Sequence, residues 1–520
     1  MTAVDARRAS TSDPPAGPGW SWRDAAAMLA LVALVPVVHD GSTYFRPAYW
    51  LDESWVAVSV KAPLADLPDV NGPTPLGWTL LLRAVPATDG LRVMSLLGLV
   101  AAVVLAYCLG RAAGGSGRWP GVMAGVAAGA SVLLLPVTQL LHDLKPYASD
   151  AAMAIGLLAL ASWAERTRSP RRLAVLGGAA VGGLLVSHVA AIVAAAVMSG
   201  LVLEPLARRH WRAAAESLAA GAATAAGLAA VYLVVTARTR TNSLDAYWAA
   251  YLPAADADLP AYLGLRMSEL RPQLGLPWPV FLGLVVIGVV VVARRRPATA
   301  TGTALVPVVL LGLGLTGNYP LLDPRTSAFV FVLGAAFMGI GVAGAGTALG
   351  RGRVWVTAVV IAVALSGFAA ANREWWRVDT RNGEGAVIAE DVRAQVRHVQ
   401  ANRRPEDVIL VSEMGVFGFG YYWDADEPSF VATSEFATRF TLGYPDRSNI
   451  VIARGRDESS IVAALSRAER GAAGSGGRIW VVRTHVSVEE QAAWTRALAG
   501  QPVTTLYVGV EPLLVLTEPG

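Results

Sequence analysis

Two adjacent carboxylates, Asp52 and Glu53, follow the first long apolar segment, in a stretch that runs from Trp50 to Trp55. An acidic pair just beyond a membrane helix does little to anchor that helix, whereas a carboxylate can accept a proton from a hydroxyl group or help to hold a cation. Asp52 is therefore a candidate general base, and Glu53 would orient it or contribute to a cation site. The alternative is that Asp52 caps a following amphipathic helix, because aspartate is a favoured N-cap residue.

A second polar cluster, between two later apolar segments, contains His142, Asp143, Lys145, Tyr147 and Asp150. Lys145 is a compact positive charge suited to phosphate, and Asp143 is a candidate second acidic residue. His142 and Tyr147 could contact phosphate or sugar. The alternative for lysine and tyrosine at this position is interfacial anchoring. Asp150, one turn into the next helix, could cap that helix or face a cavity.

A third polar stretch runs from Tyr319 through Asp323 to Arg325. A guanidinium can hold two phosphate oxygens at once, so Arg325 is the best candidate for contact with a phosphate. The alternative is a helix-end anchor or a partner of Asp323. A lone histidine, His188, falls between two short apolar segments and is interpreted as a polar turn residue.

Composition defines the class of protein that must position these side chains. Hydrophobic residues make up 54% of the 520 residues, charged residues only 16%, and the mean hydropathy is +0.47. These values exclude an ordinary soluble protein and indicate a polytopic membrane protein. Eleven segments are predicted to cross the bilayer, near 25–40, 92–112, 119–140, 147–165, 172–186, 189–205, 214–236, 279–294, 303–318, 326–347 and 353–371.

Arginine placement predicts the orientation, because short cytoplasmic loops concentrate basic residues. With the N-terminus inside, every loop on the cytoplasmic side is basic, and an odd number of spans puts the C-terminal region outside. The chain then divides into a disordered cytoplasmic tail (1–22), a transmembrane catalytic domain (23–372) and an extracytoplasmic domain (373–520). The basic loops carry Arg111 and Arg118; Arg166, Arg168, Arg171 and Arg172; Arg208, Arg209 and Arg212; Arg294, Arg295 and Arg296; and Arg351 and Arg353.

The last region is polar and alternates strand-like with helix-like patterns, which predicts a small α/β domain. Strands are expected at 408–412, 450–453 and 479–482, and helices at 388–402, 457–469 and 487–498. No glycine-rich phosphate fingerprint follows these strands, so the domain is predicted to support the site or bind an acceptor. The net charge of +4 follows from the basic loops, and no basic, aromatic-laced patch indicates nucleic acid binding.

Several of these stretches, taken in order, resemble the polytopic glycosyltransferases of the C-type fold, in particular the relatives of protein O-mannosyltransferases and of the aminoarabinose transferase of lipid A. The resemblance covers residues 40–330. The matching stretches are Asp52-Glu53, Pro73-Thr74-Pro75-Leu76-Gly77-Trp78, Leu91 to Leu96, Leu144 to Asp150, and Tyr319 to Arg325.

The resemblance implies a sugar donor carried on polyprenyl phosphate and transfer outside the cytoplasmic membrane to a hydroxyl of a glycan, lipid or protein, with inversion at the anomeric carbon. Asp52 would serve the acceptor, while Lys145 and Arg325 would serve the departing phosphate. Many relatives carry His-Pro-Pro where this chain has Asn71-Gly72-Pro73, so metal dependence stays open. If a metal binds, Mg²⁺ or Mn²⁺ held by Glu53 or Asp143 is favoured over structural zinc.

Two other classes of function remain as alternatives. A transporter or flippase of a lipid-linked sugar would explain the helices and Arg325, but not the acidic pair or the C-terminal domain. A non-catalytic envelope assembly protein would explain that domain, but not the ordered motifs. The abundance of arginine, alanine and glycine over lysine is associated with GC-rich bacteria, and would suit an actinobacterial cell-envelope or cell-wall enzyme.

Overall fold

A computed structural model of the chain describes residues 20–41, 45, 47–86, 90–114, 118–239, 248–254, 257–373, 390–433, 436, 438–445, 449–473, 476–508 and 511–516. The predicted cytoplasmic tail, 1–22, lies almost wholly outside the described residues, as does the start of the predicted C-terminal domain.

A helical bundle forms most of the first 373 residues, and each of the eleven predicted spans coincides with one of its helices. These are α1 (Trp22–Val38), α5 (Val93–Ala113), α6 (Arg118–Leu133), α7 (Tyr147–Glu165), α8 (Pro170–Leu184), α9 (Val189–Ala207), α10 (Trp211–Val234), α13 (Trp278–Ala293), α14 (Pro297–Leu315), α15 (Ala328–Leu349) and α16 (Val354–Asn372). Shorter helices lie between them: α2 (Leu51–Ser59), α3 (Leu67–Val70), α4 (Leu76–Arg83), α11 (Leu259–Glu269) and α12 (Arg271–Leu274).

The helices differ in how well they match the thickness of a bilayer. Within the described residues, seven are long and apolar enough to cross by themselves, and an eighth arises if α6 is joined to the 3-10 segment Pro136–His142, which follows it at a 65° bend. Proline at position 136 cannot donate a helical hydrogen bond, which accounts for the break. Helices α1, α8 and α13 are shorter, with 17, 15 and 16 residues. The chain is a multi-pass membrane protein, and the count of eleven spans is approximate.

The basic loops lie together at one end of the bundle. Arg111 on α5 bonds Asp24 on α1 through Nε at 2.7 Å, and Arg295 Nη1 donates to the carbonyl of Ala113 at 2.6 Å. At the same end Glu165 accepts hydrogen bonds from the first amides of α14. This clustering is what the arginine pattern requires, and the side of the membrane that this end faces stays a prediction.

The C-terminal region contains strands and helices, as the sequence predicts. The elements are α17 (Val392–Asn402), β1 (Val408–Val411), α18 (Gly415–Tyr422), β2 (Ser429–Ala432), β3 (Phe440–Gly443), β4 (Ile450–Ile452), α19 (Glu458–Ala473), β5 (Ile479–Val482), α20 (Val488–Ala497), β6 (Val503–Tyr507) and β7 (Pro512–Leu516). A five-stranded sheet has the order β4-β1-β5-β7-β6, in which β1 pairs in parallel with β4 and β5, whereas β7 pairs antiparallel with β5 and β6. The sequence did not predict β6, β7 or the separate hairpin of β2 with β3, because these short segments lack a clear alternation of apolar and polar residues.

The C-terminal domain packs directly on the segment that contains α2. Helix α18 lies against α2, and both contribute to one continuous apolar core. The backbone amide of Tyr49 donates to the hydroxyl of Tyr422 at 2.9 Å, and the two rings stack 6.0 Å apart. Helix α2 is therefore held between the bundle and the C-terminal domain, which fixes the direction of its first turn.

Candidate active site

Helix α2 separates the two carboxylates that are adjacent in the sequence. Successive residues of an α-helix point about 100° apart. As a result the side chain of Asp52 is 27% exposed, whereas Glu53 is fully buried. The N-cap of α2 is Trp50, so Asp52 lies in the first turn and does not cap the helix, contrary to the alternative considered from the sequence. The two residues therefore face different surroundings.

Asp52 meets two cations from distant parts of the chain. Its Oδ2 lies 3.5 Å from Lys145 Nζ and accepts a hydrogen bond from Arg325 Nη1 at 3.2 Å. Lys145 precedes α7 and Arg325 precedes α15, so three separate connections converge at one end of the bundle. The fold thus brings together the three residues that the sequence singled out for proton transfer and phosphate binding.

Two tryptophans of α2 and its N-cap position these cations. Lys145 Nζ lies 4.1 Å from the ring centre of Trp55, and the guanidinium carbon of Arg325 lies 4.8 Å from that of Trp50. Contact of a cation with an aromatic face is attractive and limits the freedom of the long side chain. Sequence reasoning missed this role of the tryptophans, although their placement on either side of the acidic pair was the available signal.

Lys145 is strongly perturbed by its surroundings. Burial lowers the pKa of its ammonium below the usual value, and the charge of Arg325 acts in the same direction, while Asp52 and Asp143 oppose the shift. Tyr147, buried at the start of α7, has Asp52 and Arg325 as electrostatic neighbours. Asp143 is fully buried, and its backbone carbonyl accepts a hydrogen bond from the Ser95 hydroxyl at 2.7 Å. Both residues therefore border the cluster, and neither has a contact with Asp52 among the hydrogen bonds and ion pairs identified for the described residues.

Glu53 forms a buried ion pair behind the cluster. Its Oε1 accepts hydrogen bonds from Arg92 Nε at 2.8 Å and from the backbone amide of Leu144 at 3.0 Å, while Oε2 pairs with Arg92 Nη2. Arg92 Nη1 donates to the carbonyl of Pro47, and Nη2 also donates to the carbonyl of Ala48. Glu53 thus ties α2 to the start of α5 and to the residue just before Lys145, which makes it a positioning residue in this geometry.

Replacing Glu53 by glutamine is expected to lower the free energy of unfolding by about 3–5 kcal/mol, because the Arg92 guanidinium would stay buried without its carboxylate. Denaturant unfolding of the full chain in detergent would measure the loss. Glu216→Gln is the matched control, since it breaks an exposed pair with Arg212 whose two side chains are 41% and 94% exposed. That change should have an effect below about 1 kcal/mol. Equal destabilisation by the two variants would contradict this role of Glu53.

A tight turn presents Arg325. Asp323 Oδ2 accepts hydrogen bonds from the backbone amides of Thr326 at 2.8 Å and Arg325 at 3.2 Å. The Tyr319 hydroxyl donates to the carbonyl of Thr326 at 2.7 Å. Burial raises the pKa of the Asp323 carboxyl, whereas the hydrogen bonds from Thr326 oppose that shift. Tyr319 and Asp323 therefore fix the loop, and only Arg325 reaches Asp52.

His142 and Asp150 have partners of their own. His142 Nε2 lies 2.9 Å from His39 Nδ1, and His39 Nε2 lies 3.2 Å from the carbonyl of Leu133. Because His39 Nε2 faces a carbonyl oxygen, it carries the ring proton and donates, which leaves Nδ1 to accept from His142 Nε2. Asp150 Oδ1 accepts a hydrogen bond from the Ser187 hydroxyl at 2.6 Å. Neither contact reaches the Asp52 cluster.

The carboxylates named as possible metal ligands do not converge. Glu53 is engaged by Arg92 and Leu144, Asp143 is buried to one side, and the described residues contain no group of three or more histidine, cysteine, aspartate or glutamate side chains that could hold a metal ion. The stretch Asn71-Gly72-Pro73 forms a turn against the C-terminal domain, where Gly72 has φ +58° and a Cβ would lie 3.2 Å from Thr438 Cα. The donor set does not fit a metal, and metal dependence stays untested.

The C-terminal domain adds a residue that the sequence did not indicate. Glu390 Oε2 accepts a hydrogen bond from the backbone amide of Leu51 at 2.8 Å, and Glu390 Oε1 lies 2.7 Å from His485 Nδ1. Leu51 immediately precedes Asp52. The adjacent acidic residues Glu390 and Asp391 at the start of the domain carry no sequence signal for such a contact, which depends entirely on how the domain docks.

Comparison with known proteins identifies the fold. No family model matches the sequence, and no curated protein matches it significantly. The crystal structure of ArnT from Cupriavidus metallidurans bound to undecaprenyl phosphate matches with a TM-score of 0.53 and 14% identity, over 94% of this chain and 97% of that chain. The apo structure of the same protein matches with a TM-score of 0.53 and 14% identity, over 95% and 98%. The predicted architecture is therefore confirmed: a polytopic helical membrane protein of the C-type glycosyltransferase fold with a strand-containing C-terminal domain.

Proposed function

We propose that this chain is a membrane glycosyltransferase that moves a sugar from a polyprenyl-phosphate carrier to an acceptor hydroxyl, on the extracytoplasmic side that the arginine pattern predicts. The observation that carries the proposal is the convergence of one carboxylate, Asp52, with two cations, Lys145 and Arg325, at one end of an ArnT-like bundle. The acceptor would be a cell-envelope glycan, lipid or protein.

The acceptor hydroxyl needs a base, and Asp52 is the base in this proposal. Both cations contact Oδ2, and Oδ1 has no protein hydrogen bond among the described residues, which leaves it for the acceptor. The acceptor oxygen attacks the anomeric carbon while its proton passes to Asp52. The bond from that carbon to the phosphate oxygen breaks at the same time, and a single displacement of this kind inverts the anomeric centre.

The departing polyprenyl phosphate takes the electron pair of the broken bond and gains negative charge. Lys145 and Arg325 would stabilise this charge, because preorganised cations act most strongly where charge develops in the transition state. Undecaprenyl phosphate in the ArnT structure supports this class of carrier. A phosphodiester beside the two cations would share their positive charge with Asp52.

The proposal is tested with the full chain, purified in detergent and supplied with synthetic polyprenyl-phosphoryl sugars and a mixture of acceptor glycans. We expect release of polyprenyl phosphate that depends on the acceptor. A bilayer assay with the same lipids distinguishes the alternative: movement of the intact donor between leaflets without release would identify a flippase. Absence of both release and movement with every donor would contradict the transferase and favour an assembly role.

A further inference from the structure

A cleft of about 410 Å³ lies in the C-terminal domain, at the ends of β5 and β7 and the start of α20. Its polar lining includes Glu390, Arg456, Arg483, His485, Gln491 and Glu511. Three of these side chains are basic and two are acidic, and the contacts of the three basic side chains differ.

Two of the basic side chains have carboxylate partners. Arg456 Nε lies 3.3 Å from Glu413 Oε2, and His485 Nδ1 lies 2.7 Å from Glu390 Oε1. The hydrogen bond to Glu390 raises the pKa of His485 above its usual value, although burial opposes the shift. These contacts leave little net charge on either pair.

Arg483 is the exception. Its side chain is only 5% exposed, it forms no ion pair with any carboxylate of the described residues, and its Nε has no hydrogen-bond partner among them. Nη1 donates to the neutral amide oxygen of Gln491 at 3.3 Å. Burial of a charge is strongly unfavourable unless an opposite charge compensates for it. A buried guanidinium that lines a cleft in this way is suited to an anion from outside the protein.

The cleft adjoins the proposed reaction centre. Glu390 joins the two sites, because one carboxylate oxygen contacts His485 in the cleft and the other accepts from the amide of Leu51, next to Asp52. The charge of Asp52 also acts on His485. An acceptor that reaches Asp52 with its hydroxyl can therefore extend into the cleft.

We infer that this cleft binds an anionic group of the acceptor, a carboxylate or a phosphate monoester, through the guanidinium of Arg483. The assignment to the acceptor rests on the proposed function, whereas anion binding by the cleft does not. A guanidinium can hold two oxygens of either group, which would fix the orientation of an acidic glycan or glycolipid relative to Asp52. The acidic groups that face Arg483, Glu490 and Glu511, both have carboxyl pKa values raised by burial, so their opposing charge is reduced.

Anion binding should weaken as the pH rises through about 7. Burial raises the pKa of Glu511 to about 7, and His485 also has a raised pKa. Below about pH 7 Glu511 is neutral and above it Glu511 is negative, while His485 loses its positive charge as the pH rises. The dissociation constant of a probe anion, measured between pH 5.5 and 8.5, should therefore increase across this range.

The test uses the full chain in detergent and titrates inorganic phosphate, D-glucuronate and the neutral sugar D-glucose by calorimetry. We expect at least one of the anions to bind and glucose not to bind. Arg483→Gln should raise the dissociation constant of the bound anion by about tenfold or more. Arg483→Lys, which keeps the charge, should retain part of the affinity. The matched control is Arg496→Gln, because Arg496 on the nearby helix α20 is 59% exposed and paired with Glu458.

Acceptor kinetics then separate this inference from the proposed function. With an acidic acceptor, Arg483→Gln should raise the KM for the acceptor with little change in kcat. With a neutral acceptor, the wild type and the variant should have the same KM and kcat. Anion binding without any sugar transfer would leave the cleft assigned and reject the transferase. Transfer with equal KM values, and no anion binding by the wild type, would overturn the inference and keep the transferase. Thermal unfolding of Arg483→Gln checks that the variant is folded.

Discussion

Asp52→Asn is expected to lower kcat for sugar transfer by about 10²–10⁴-fold, the usual contribution of a positioned general base. Asparagine keeps the shape of the side chain but cannot accept a proton from the acceptor hydroxyl. Without the carboxylate charge, Lys145 and Arg325 would interact with the donor phosphate without competition from Asp52. Donor affinity should therefore be unchanged or increased while turnover is lost, and this split between binding and turnover identifies a base rather than a binding residue.

Release of polyprenyl phosphate under saturating donor gives kcat, and binding of the donor measured separately gives its affinity. Asp69→Asn is the control, because Asp69 is an exposed carboxylate in the following helix α3. That variant should transfer sugar at the wild-type rate. Turnover by Asp52→Asn within a factor of two of the wild type would remove Asp52 as the base.

Arg325→Gln is expected to lower kcat/KM for the donor by about 10²–10³-fold, comparable to the loss of one preorganised group that stabilises transition-state charge. The guanidinium is held by the face of Trp50 and by the turn around Asp323, so it is positioned before any phosphate arrives. Arg325→Lys should recover only part of the activity, because an ammonium keeps the charge but cannot hold two phosphate oxygens in one plane.

The measurement is the dependence of initial rate on donor concentration, with the acceptor saturating. Arg212→Gln serves as the control, since Arg212 is 94% exposed, on the helix α10. Its kinetic constants should match those of the wild type. If Arg325→Gln and Arg212→Gln were equally active, Arg325 would not bind the donor phosphate. That result would contradict the proposal that Arg325 and Lys145 bind the phosphate together.

Glu53 illustrates where sequence reasoning reached its limit. Two adjacent carboxylates suggest a shared task, and the sequence places both beside a reacting group. The helix separates them, since a rotation of about 100° per residue turns Asp52 toward Lys145 and Arg325 and turns Glu53 into the protein. The partner of Glu53 is Arg92, which the sequence offers only as the basic residue before an apolar helix. Nothing local distinguishes that arginine from an interfacial anchor.

The C-terminal domain shows a similar division. Strands with continuous β-branched or apolar runs, such as β1 and β5, could be predicted because they are buried on both faces. Strand β7 joins the same sheet by antiparallel pairing with β5, and β6 joins it by antiparallel pairing with β7. These pairings depend on contacts between strands and could not be predicted from the segments of β6 and β7 themselves. The contacts of Glu390 with Leu51 and His485 arise from the same docking and have no sequence signature.

The sequence by itself determined the membrane class, the position of the long helices, the grouping of basic loops at one end and the identity of Asp52, Lys145 and Arg325 as the residues of interest. These properties follow from local composition, because a bilayer requires continuous apolar helices whatever their neighbours are. Tertiary structure alone decided that the three side chains meet, that Glu53 faces Arg92 instead, and that Glu390 links the cleft with Arg483 to the start of α2. Arg325 and Asp52 are 273 residues apart in the sequence. A contact at that separation depends on how the helices pack against one another, and hydropathy alone does not determine that packing.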